Sequence, residues 1–426
     1  MTTVEVSPAG LDSINLLAQT WGQGAPYDQF KLLRELAPVF WHDEPGGGPG
    51  NRPPGPGFWA ITKHADIKAL SHDFLTFSTE RGGVLIPDMS ETEIEAMRQT
   101  ILGMDPPKHT RYRKLISRGF TPRMIRKLME DIECRAARVV DEVCGRGECE
   151  FVEDIAAKVP VQMICEMMGL DPSLWDRFIE LSDGCVGSVD DPDYTGGRDG
   201  PVMASAEIYL LANDAAADRR KKPRDDLMTN LVQAEIDGER LTDMELNLFF
   251  LTLVVAGNET TRNIINHSML ALIQRPETAQ LLRDDPSLWD CATEEMLRWG
   301  HPIHNLRRTA TRDMEVRGTQ IHEGQKVVLY YASGNFDEEV FEHPEQFDLR
   351  RNPNDHLTFG GGGTHFCLGA NLARAETKAM MRQLVERLPD MQLAGPVERL
   401  HSDFVHGIKK MPVTFTPNKS AWQDRA

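Results

Sequence analysis

The sequence predicts a mostly helical α+β chain, with one large helical part and a smaller β-rich part. Three observations support this class. Amphipathic helical periodicity fills most of residues 132–236, one long helix is predicted over Leu241–Arg275, and the strand signals are short and scattered. We expect the 426 residues to form one domain over 1–426, with residues 1–24 as an N-terminal extension.

The composition is typical of a globular protein and disfavours two classes of partner. Hydrophobic residues make up 40% of the chain and charged residues 26%, and no apolar run is long enough to span a membrane. The net charge of −18 disfavours nucleic acid as a partner. Seven scattered cysteines without a CxxC pair, and a start without signal-peptide features, favour the reducing cytoplasm.

Short elements and loops alternate near the N-terminus. Asp28–Leu36 has a helical pattern, and Val39–His42 and Phe58–Thr62 are typical of two strands. Residues 45–57 between these strands are rich in Pro and Gly, so we interpret them as the tip of a hairpin. Phe77–Met89 has no clear period and is predicted to be a loop.

The stretch Pro106–Met129 is basic, although the chain as a whole is acidic. It holds eight Lys or Arg residues and no acid. His109 and Arg113 are four residues apart and therefore share one face of a predicted helix. The basic residues indicate either a solvated helix face or a docking surface for an acidic electron-transfer protein.

The long predicted helix is apolar except at its centre. Thr242 and Glu245 form a Thr-x-x-Glu capping box at its start. Gly257, Glu259 and Thr260 lie at the centre, where they cost stability, and such local inconsistency is expected at functional sites. The alternative is that Thr260 hydrogen-bonds to the carbonyl four residues earlier while Glu259 joins an internal ion pair.

Cys367 follows a run of four glycines and precedes a helical pattern. Glycines allow tight turns and close approach, and a helix N-terminus favours a negative charge such as a thiolate. This stretch therefore predicts a thiolate presented from a tight loop at a helix start. A buried free thiol beside an ordinary turn is the alternative.

The ordered set of motifs resembles that of the cytochrome P450 family over roughly residues 25–416. The stretch His356–Glu376 is similar to the haem-thiolate loop of that family, although its aromatic residue lies eight rather than seven positions before the cysteine. The residues that carry this likeness are Phe359, Gly360, Gly363, His365, Cys367 and Gly369. The resemblance implies a cytochrome P450 fold and a haem b (iron protoporphyrin IX) cofactor, with Cys367 as the metal ligand.

The resemblance also implies a role for each of the other motifs. Glu259 and Thr260 would be catalytic and deliver protons, and a helix bulge at Ala256–Gly257 would make room for dioxygen. Glu295 and Arg298 would form a structural pair. Its usual third member, an arginine, is replaced by Gln346, so we expect that network to carry one charge fewer. The implied cofactor-binding residues are His109, Arg113, Ala256, Gly257, Arg308, Phe359, Gly360, His365, Cys367 and Gly369.

The implied activity is oxygen-dependent monooxygenation of an apolar, sterol-like substrate, with electrons from a ferredoxin and its NAD(P)H-dependent reductase. The segments ILGMDPPKHTRYRKLISRGFTP, VVAGNETTRN, SGNFDEEVF and HGIKK resemble those of bacterial steroid side-chain hydroxylases. Hydroxylation of a terminal side-chain methyl group is therefore expected. A branched-chain or terpenoid lipid substrate, a peroxide-driven enzyme and a non-catalytic haem-thiolate sensor are the alternatives. The implied pocket residues are Val84, Leu85, Ile86, Val255, Ile303, His304, Asn305, Phe404 and Val405.

Overall fold

Helices dominate the architecture, and the predicted fold class is confirmed. The computed structural model describes residues 10–47, 52–186, 191, 200–236 and 239–418. The α-helices within these ranges are α1 (Tyr27–Leu36), α2 (His64–His72), α3 (Glu91–Met97), α4 (Lys108–Ile116), α5 (Pro122–Val143), α6 (Lys158–Met167), α7 (Trp175–Val186), α8 (Gly200–Lys221), α9 (Leu227–Gln233), α10 (Asp243–Gln274), α11 (Pro276–Asp284), α12 (Trp289–Gly300), α13 (Tyr331–Gly334) and α14 (Ala370–Arg387).

The β-rich part is built around one five-stranded sheet. The strands are β1 (Val39–Glu44), β2 (Gly55–Ile61), β3 (Phe77–Ser78), β4 (Glu148–Glu150), β5 (Glu235–Ile236), β6 (Glu239–Arg240), β7 (Leu306–Ala310), β8 (Met314–Val316), β9 (Thr319–Ile321), β10 (Lys326–Leu329), β11 (Gln392–Leu393), β12 (Glu398–Arg399), β13 (Ile408–Lys410) and β14 (Pro412–Thr414). The main sheet has the order β1-β2-β10-β7-β3, in which only β2 and β10 are parallel.

The two predicted hairpins have different outcomes. The N-terminal hairpin is present, but β1 continues to Glu44 and β2 begins at Gly55, so its loop is shorter than the predicted residues 45–57. Residues 48–51 of that loop lie outside the described residues. The second, a closing hairpin that the resemblance implies over the C-terminal stretch DFVHGIKKMPVTF, is wrong, because β13 pairs with β12 whereas β14 pairs with β4 and β11. Only Met411 separates β13 from β14, which is too little chain for a hairpin turn.

The long helix α10 passes through the main hydrophobic core. Its capping box is present, since Thr242 Oγ1 accepts from the Glu245 N–H at 3.2 Å and the Glu245 carboxylate accepts from the Thr242 N–H at 2.9 Å. Its 32 residues span about 48 Å at 1.5 Å per residue. The helix packs against α6, α7, α8, α12 and α14. The described helices include none long and apolar enough to cross a bilayer.

The segment that we treated as an N-terminal extension is part of the packed structure where it is described. Leu16 and Trp21 are fully buried and share a hydrophobic cluster with Phe30, Phe58 and Tyr330. This cluster joins residues 11–33 to the main sheet through β2 and β10. The N-terminal segment therefore determines how side chains near β7 pack.

Candidate active site

Cys367 lies in the loop that leads into α14. Its backbone N–H donates to the Phe359 carbonyl at 2.9 Å. Burial raises the pKa of the thiol, whereas hydrogen bonds from the Gly369 and Ala370 N–H groups and the Arg113 guanidinium oppose that rise. These N–H groups mark the helix N-terminus, where partial positive charge favours an anion. The sulfur therefore lies at a helix start, as predicted, and hydrogen-bond donors there stabilise its thiolate form.

The loop is held close to α2, and this explains two of its glycines. A Cβ atom at Gly361 would collide with the Ser71 hydroxyl, and one at Gly363 would collide with the Ser71 carbonyl oxygen. Gly363 also has a φ of +71°, which disfavours residues with a side chain. Phe366 and Cys367 are exposed even though protein surrounds the thiol. The sulfur therefore lines an internal cleft.

Four basic side chains from separate segments converge beside Cys367. The rings of His109 and His365 have centroids 4.3 Å apart. Arg113 donates to two backbone carbonyls of the cysteine loop. The pKa of His365 is lowered to about 2, chiefly by burial, with Arg308, His109 and Arg113 contributing. Distant segments of the sequence thus form one positively charged pocket.

This pocket fits the haem that the resemblance implies. His109 Nδ1 and His365 Nε2 are buried without hydrogen-bond partners. Within the described residues, Arg113 and Arg308 bond to backbone carbonyls and neither forms an ion pair with a carboxylate. Burying uncompensated positive charge is costly, so the pocket suits anionic groups such as haem propionates. The four basic side chains would hold the propionates, and Cys367 would bind the iron.

One face of α10 is open toward the cysteine loop. Ala256 is exposed and Val255 and Thr260 are partly exposed, although most of this helix is buried. Residues four apart lie on the same helix face. Ile264, four residues after Thr260, packs in one cluster with Phe359 of the cysteine loop. The open face of the helix therefore lies across the cleft from the sulfur.

Thr260 and Glu259, at the centre of α10, make the contacts that the alternative interpretation expects, a bond to the carbonyl four residues earlier and an internal ion pair. Thr260 Oγ1 donates to the Ala256 carbonyl at 2.7 Å. Glu259 is buried, pairs with Arg262, and accepts from Asn263 Nδ2 at 2.8 Å. The predicted bulge at Ala256–Gly257 is not present, because α10 is a continuous α-helix through this stretch. The Thr260 hydroxyl adds its bond without displacing the main-chain hydrogen bonds.

The path from Glu259 toward solvent runs through Arg262. Arg262 also donates to Asp183 Oδ1 of α7 at 2.6 Å. The Asp183 side chain is 27% exposed, whereas those of Arg262 and Glu259 are 2% and 3% exposed. The pKa of Asp183 is raised to about 6, chiefly by burial and also by the Glu259 charge, with Arg262 opposing both. A partly exposed acid is thus linked to the buried acid beside Thr260.

Glu295 and Arg298 form the predicted pair, and their side chains have no exposed surface. We expected Gln346 to stand in place of the third member, an arginine, and the network to carry one charge fewer, but this expectation is wrong. Instead, Arg351 Nε donates to Glu295 Oε2 at 3.1 Å, while Gln346 contributes only its backbone carbonyl. Gln346 is exposed, so its side chain points away from the buried Glu295–Arg298 pair. The adjacent arginines Arg350 and Arg351 were the sequence signal that we did not use.

The candidate pocket residues divide into two groups by exposure. Leu85, Val255, Ile303 and Phe404 keep exposed surface, and Leu306, which sequence analysis missed, does so as well. The buried group is Val84, Ile86, His304, Asn305 and Val405.

Packing explains why part of the predicted pocket residues are buried. The His304 ring lies 4.2 Å from the Trp21 ring, measured between centroids. Asn305 Nδ2 donates to the Asp403 carbonyl at 2.6 Å. Ile86 joins the N-terminal hydrophobic cluster. The polar side chains of His304 and Asn305 are therefore directed into the protein, and the candidate pocket residues that keep exposed surface are apolar.

Comparisons with known proteins agree with these observations. A model of the family described as Cytochrome P450 matches residues 287–395. The chain is 39% identical to a Steroid C26-monooxygenase of Mycolicibacterium smegmatis, over 92% of this chain and 91% of that protein. It is 41% identical to a Methyl-branched lipid omega-hydroxylase of Mycobacterium tuberculosis, over 91% of this chain and 90% of that protein. Among solved structures, a Mycobacterium marinum cytochrome P450 in complex with pseudoionone is 40% identical, with a TM-score of 0.89 over 96% of this chain and 100% of that one.

Proposed function

Because the chain belongs to the cytochrome P450 family, we propose that it hydroxylates the terminal methyl group of a steroid or methyl-branched lipid side chain. The chain is a monooxygenase, and haem is its cofactor. When bound, haem supplies the oxygen activation that inserts one oxygen atom into an unactivated C–H bond. The exposed surface of the apolar candidate pocket residues is the observation that carries the substrate proposal.

The protein contributes an anionic ligand and a fixed site for the cofactor. Cys367 supplies the thiolate, which the N–H groups of Gly369 and Ala370 stabilise. His109 and Arg113 on α4 and the facing His365 supply part of the positive pocket that would anchor the propionates. The residues that hold the cofactor therefore set its position before any substrate enters.

The centre of α10 supplies protons. Thr260 presents its hydroxyl at the open face of the helix, where it would hold a proton toward the cofactor site once it released the Ala256 carbonyl. Glu259, one residue earlier, is the buried acid from which that proton would be replaced. The replacement proton would come from solvent by way of Asp183, whose carboxylate shares the Arg262 guanidinium with Glu259, while Arg262 itself stays protonated.

The open side chains orient the substrate. Leu85, Val255, Ile303, Leu306 and Phe404 offer an apolar surface, which binds hydrocarbon and excludes water. Such a surface cannot distinguish a sterol side chain from a methyl-branched acyl chain by hydrogen bonding, since both end in an isopropyl-like group. Relatives with both named activities have similar identity to this chain, and a methyl-branched lipid is accordingly the second candidate substrate.

The electron donor is proposed to be an acidic ferredoxin. Lys108, Lys114, Arg123, Arg126 and Lys127 are exposed on α4 and α5. The first of these helices also carries Arg113, which contacts the cysteine loop, so the basic surface lies on the side of the chain that holds the sulfur. Opposite charge on a partner would steer its encounter with this surface, and the association rate would fall as salt increases.

Substrate titration of the ferric enzyme tests the proposal. A steroid with an intact branched side chain, the same steroid without the side chain, and a methyl-branched fatty acid form a matched set. We expect the first or third compound to produce a low-to-high-spin change and a terminal hydroxyl product in the reconstituted system. Equal responses to the steroids with and without a side chain, or oxidation on the ring system, would contradict terminal-methyl hydroxylation.

A further inference from the structure

Four buried histidines form a cluster that the catalytic proposal does not use. His267 lies on α10, His301 follows α12, His304 precedes β7, and His406 precedes β13. The His406 ring is central, with centroid distances of 3.7 Å to His267, 4.6 Å to His301 and 4.9 Å to His304. The cluster therefore joins four separate segments of the chain.

Backbone contacts determine which ring nitrogens carry hydrogen. His301 Nδ1 lies 3.2 Å from the Arg298 carbonyl, and His406 Nδ1 lies 3.1 Å from the Gly300 carbonyl. A carbonyl oxygen only accepts hydrogen bonds, so both nitrogens are protonated. In the neutral form of each ring, the other nitrogen, Nε2, therefore carries a lone pair.

Three rings direct ligand atoms to one place. One nitrogen from each of His301, His304 and His406 lies within 4.8 Å of the other two. His304 Nδ1 is buried and has no hydrogen-bond partner. The Tyr27 hydroxyl, 3.2 Å from His301 Nε2, is positioned to donate to it. Nitrogen lone pairs thus outnumber the hydrogen-bond donors at this point.

We propose that His301, His304 and His406 bind a divalent transition-metal ion of the Zn²⁺ class. A metal-binding histidine commonly donates its other ring N–H to a backbone carbonyl, and His301 and His406 do this. Zinc–nitrogen bonds of about 2.0–2.1 Å place tetrahedral ligands roughly 3.4 Å apart, so nitrogens within 4.8 Å of one another have to close by up to about 1.4 Å. A change in the His304 ring orientation toward the ion would break no hydrogen bond at its Nδ1.

The surrounding charges determine which metals suit the site. Arg399 lowers the pKa of His304 and His406, and the same positive charge opposes a bound cation. Ca²⁺ and Mg²⁺ require several oxygen ligands, whereas Zn²⁺, Ni²⁺, Co²⁺ and Cu²⁺ bind neutral imidazole strongly. The Tyr27 hydroxyl offers a nearby oxygen for a fourth position. A three-imidazole site beside a guanidinium therefore selects transition metals.

A metal here would act on stability rather than on the oxidation itself. The ion would tie the end of α12 to the segment before β7 and to the C-terminal loop before β13. The latter two segments also carry Ile303 and Phe404, candidate pocket residues that keep exposed surface. Their relative position would then depend on metal occupancy, independently of the identity of the substrate.

Metal analysis of the purified haem-containing enzyme tests the site. Zinc and iron are measured per polypeptide by mass spectrometry, and Zn²⁺ is then titrated calorimetrically into chelator-treated enzyme. We expect about one Zn²⁺ per chain, with affinity at least tenfold weaker in His304→Gln and His406→Gln. His267→Gln is the matched control, because its ring stacks on His406 but supplies no nitrogen to the triad. This variant should bind Zn²⁺ as the native chain does.

Two results would overturn the proposal. One is a native enzyme that takes up none of Zn²⁺, Co²⁺, Ni²⁺ or Cu²⁺, and this result requires no variant to fold. The other is unchanged Zn²⁺ affinity in both His304→Gln and His406→Gln, which would place the ion elsewhere. The thiolate-type absorption of the carbon monoxide complex confirms that each variant is folded, and anomalous diffraction at the zinc edge locates the ion.

Discussion

Replacing Arg351 with Met should destabilise the protein and loosen the cysteine loop. Arg351 Nε donates to Glu295 Oε2 at 3.1 Å, and its two terminal nitrogens donate to the carbonyls of Glu342 at 2.8 Å, His343 at 3.2 Å and Gln346 at 3.2 Å. Methionine fills much of the same volume but provides none of these donors. The substitution therefore removes charge and hydrogen bonds with little change in packing.

The magnitude follows from what remains around Glu295. Its side chain has no exposed surface, and Arg298 still donates to it at 2.7 and 2.8 Å. Breaking a buried ion pair by removing one partner costs about 3–5 kcal/mol. Because Glu295 retains one guanidinium, we expect the lower end of this range, about 3 kcal/mol.

The loss should reach the cysteine loop through a short chain of hydrogen bonds. Arg298 donates to the Asn335 carbonyl at 2.9 Å, and Asn335 Oδ1 accepts from the Leu357 N–H at 2.6 Å. Thr358 Oγ1 donates to the Leu297 carbonyl of α12 at 2.8 Å. Leu357 and Thr358 immediately precede Phe359, whose carbonyl bonds to the Cys367 N–H. The arginine network thus supports the segment that positions the sulfur.

Urea titration with two readouts measures the effect. Far-UV circular dichroism reports global unfolding, and the thiolate-type band of the carbon monoxide complex reports the cysteine ligand. Arg351→Met should lower both midpoints, and the carbon monoxide band should be lost first. Gln346→Ala is the matched control, and because this side chain is exposed it should change stability by less than about 0.5 kcal/mol.

A rescue experiment distinguishes the two candidate positions for the third charge. Gln346→Arg is combined with Arg351→Met, which moves the arginine to the position where the resemblance places it. No recovery is expected, because only the Gln346 backbone contacts the network. Restoration of both urea midpoints, or a native-like Arg351→Met enzyme, would refute the assignment of Arg351.

Three further outcomes are expected. Thr260→Ala should divert NADH consumption from product formation to hydrogen peroxide. Thr252→Ala removes the same type of bond to a carbonyl four residues earlier and should leave the coupling of NADH consumption to product unchanged. Equal coupling in both variants would contradict the role of Thr260. Arg113→Gln should release haem faster to apomyoglobin, since it removes charge from the propionate pocket, and an unchanged rate would contradict that contact. Burial lowers the folded pKa of each histidine of the cluster, whereas the unfolded chain takes up protons below about pH 6.5, so metal-free stability should fall as the pH drops from 6.5 toward 4. A flat urea midpoint over this range would contradict this expectation.

Local rules predicted the elements that depend on local contacts. The capping box at Thr242, the length of α10 and the glycine loop before Cys367 all follow from residues within a few positions of one another. The convergence of His109, Arg113 and His365 is a tertiary property. It was predicted only because the order of the motifs matched a known family.

The errors arose where one side chain chooses between distant partners. Arg351 and Gln346 are five residues apart, and nothing local determines which of them reaches the buried carboxylate of Glu295. In the same way, His304 turns away from the cleft because Trp21, nearly three hundred residues earlier, packs against its ring. Sequence periodicity carries no information about such contacts, because they depend on the assembled core.

Arg262 reconciles the two interpretations of the centre of α10. An acid held in an ion pair resists protonation, because taking up a proton leaves its partner as an uncompensated buried cation. Arg262 avoids this cost, since it also bonds to Asp183 and so keeps one anionic partner when Glu259 takes up a proton. The partly exposed Asp183, with its pKa raised to about 6 by burial and by the charge of Glu259, exchanges protons with solvent near neutral pH. The ion pair and the proton-relay role of Glu259 are therefore compatible.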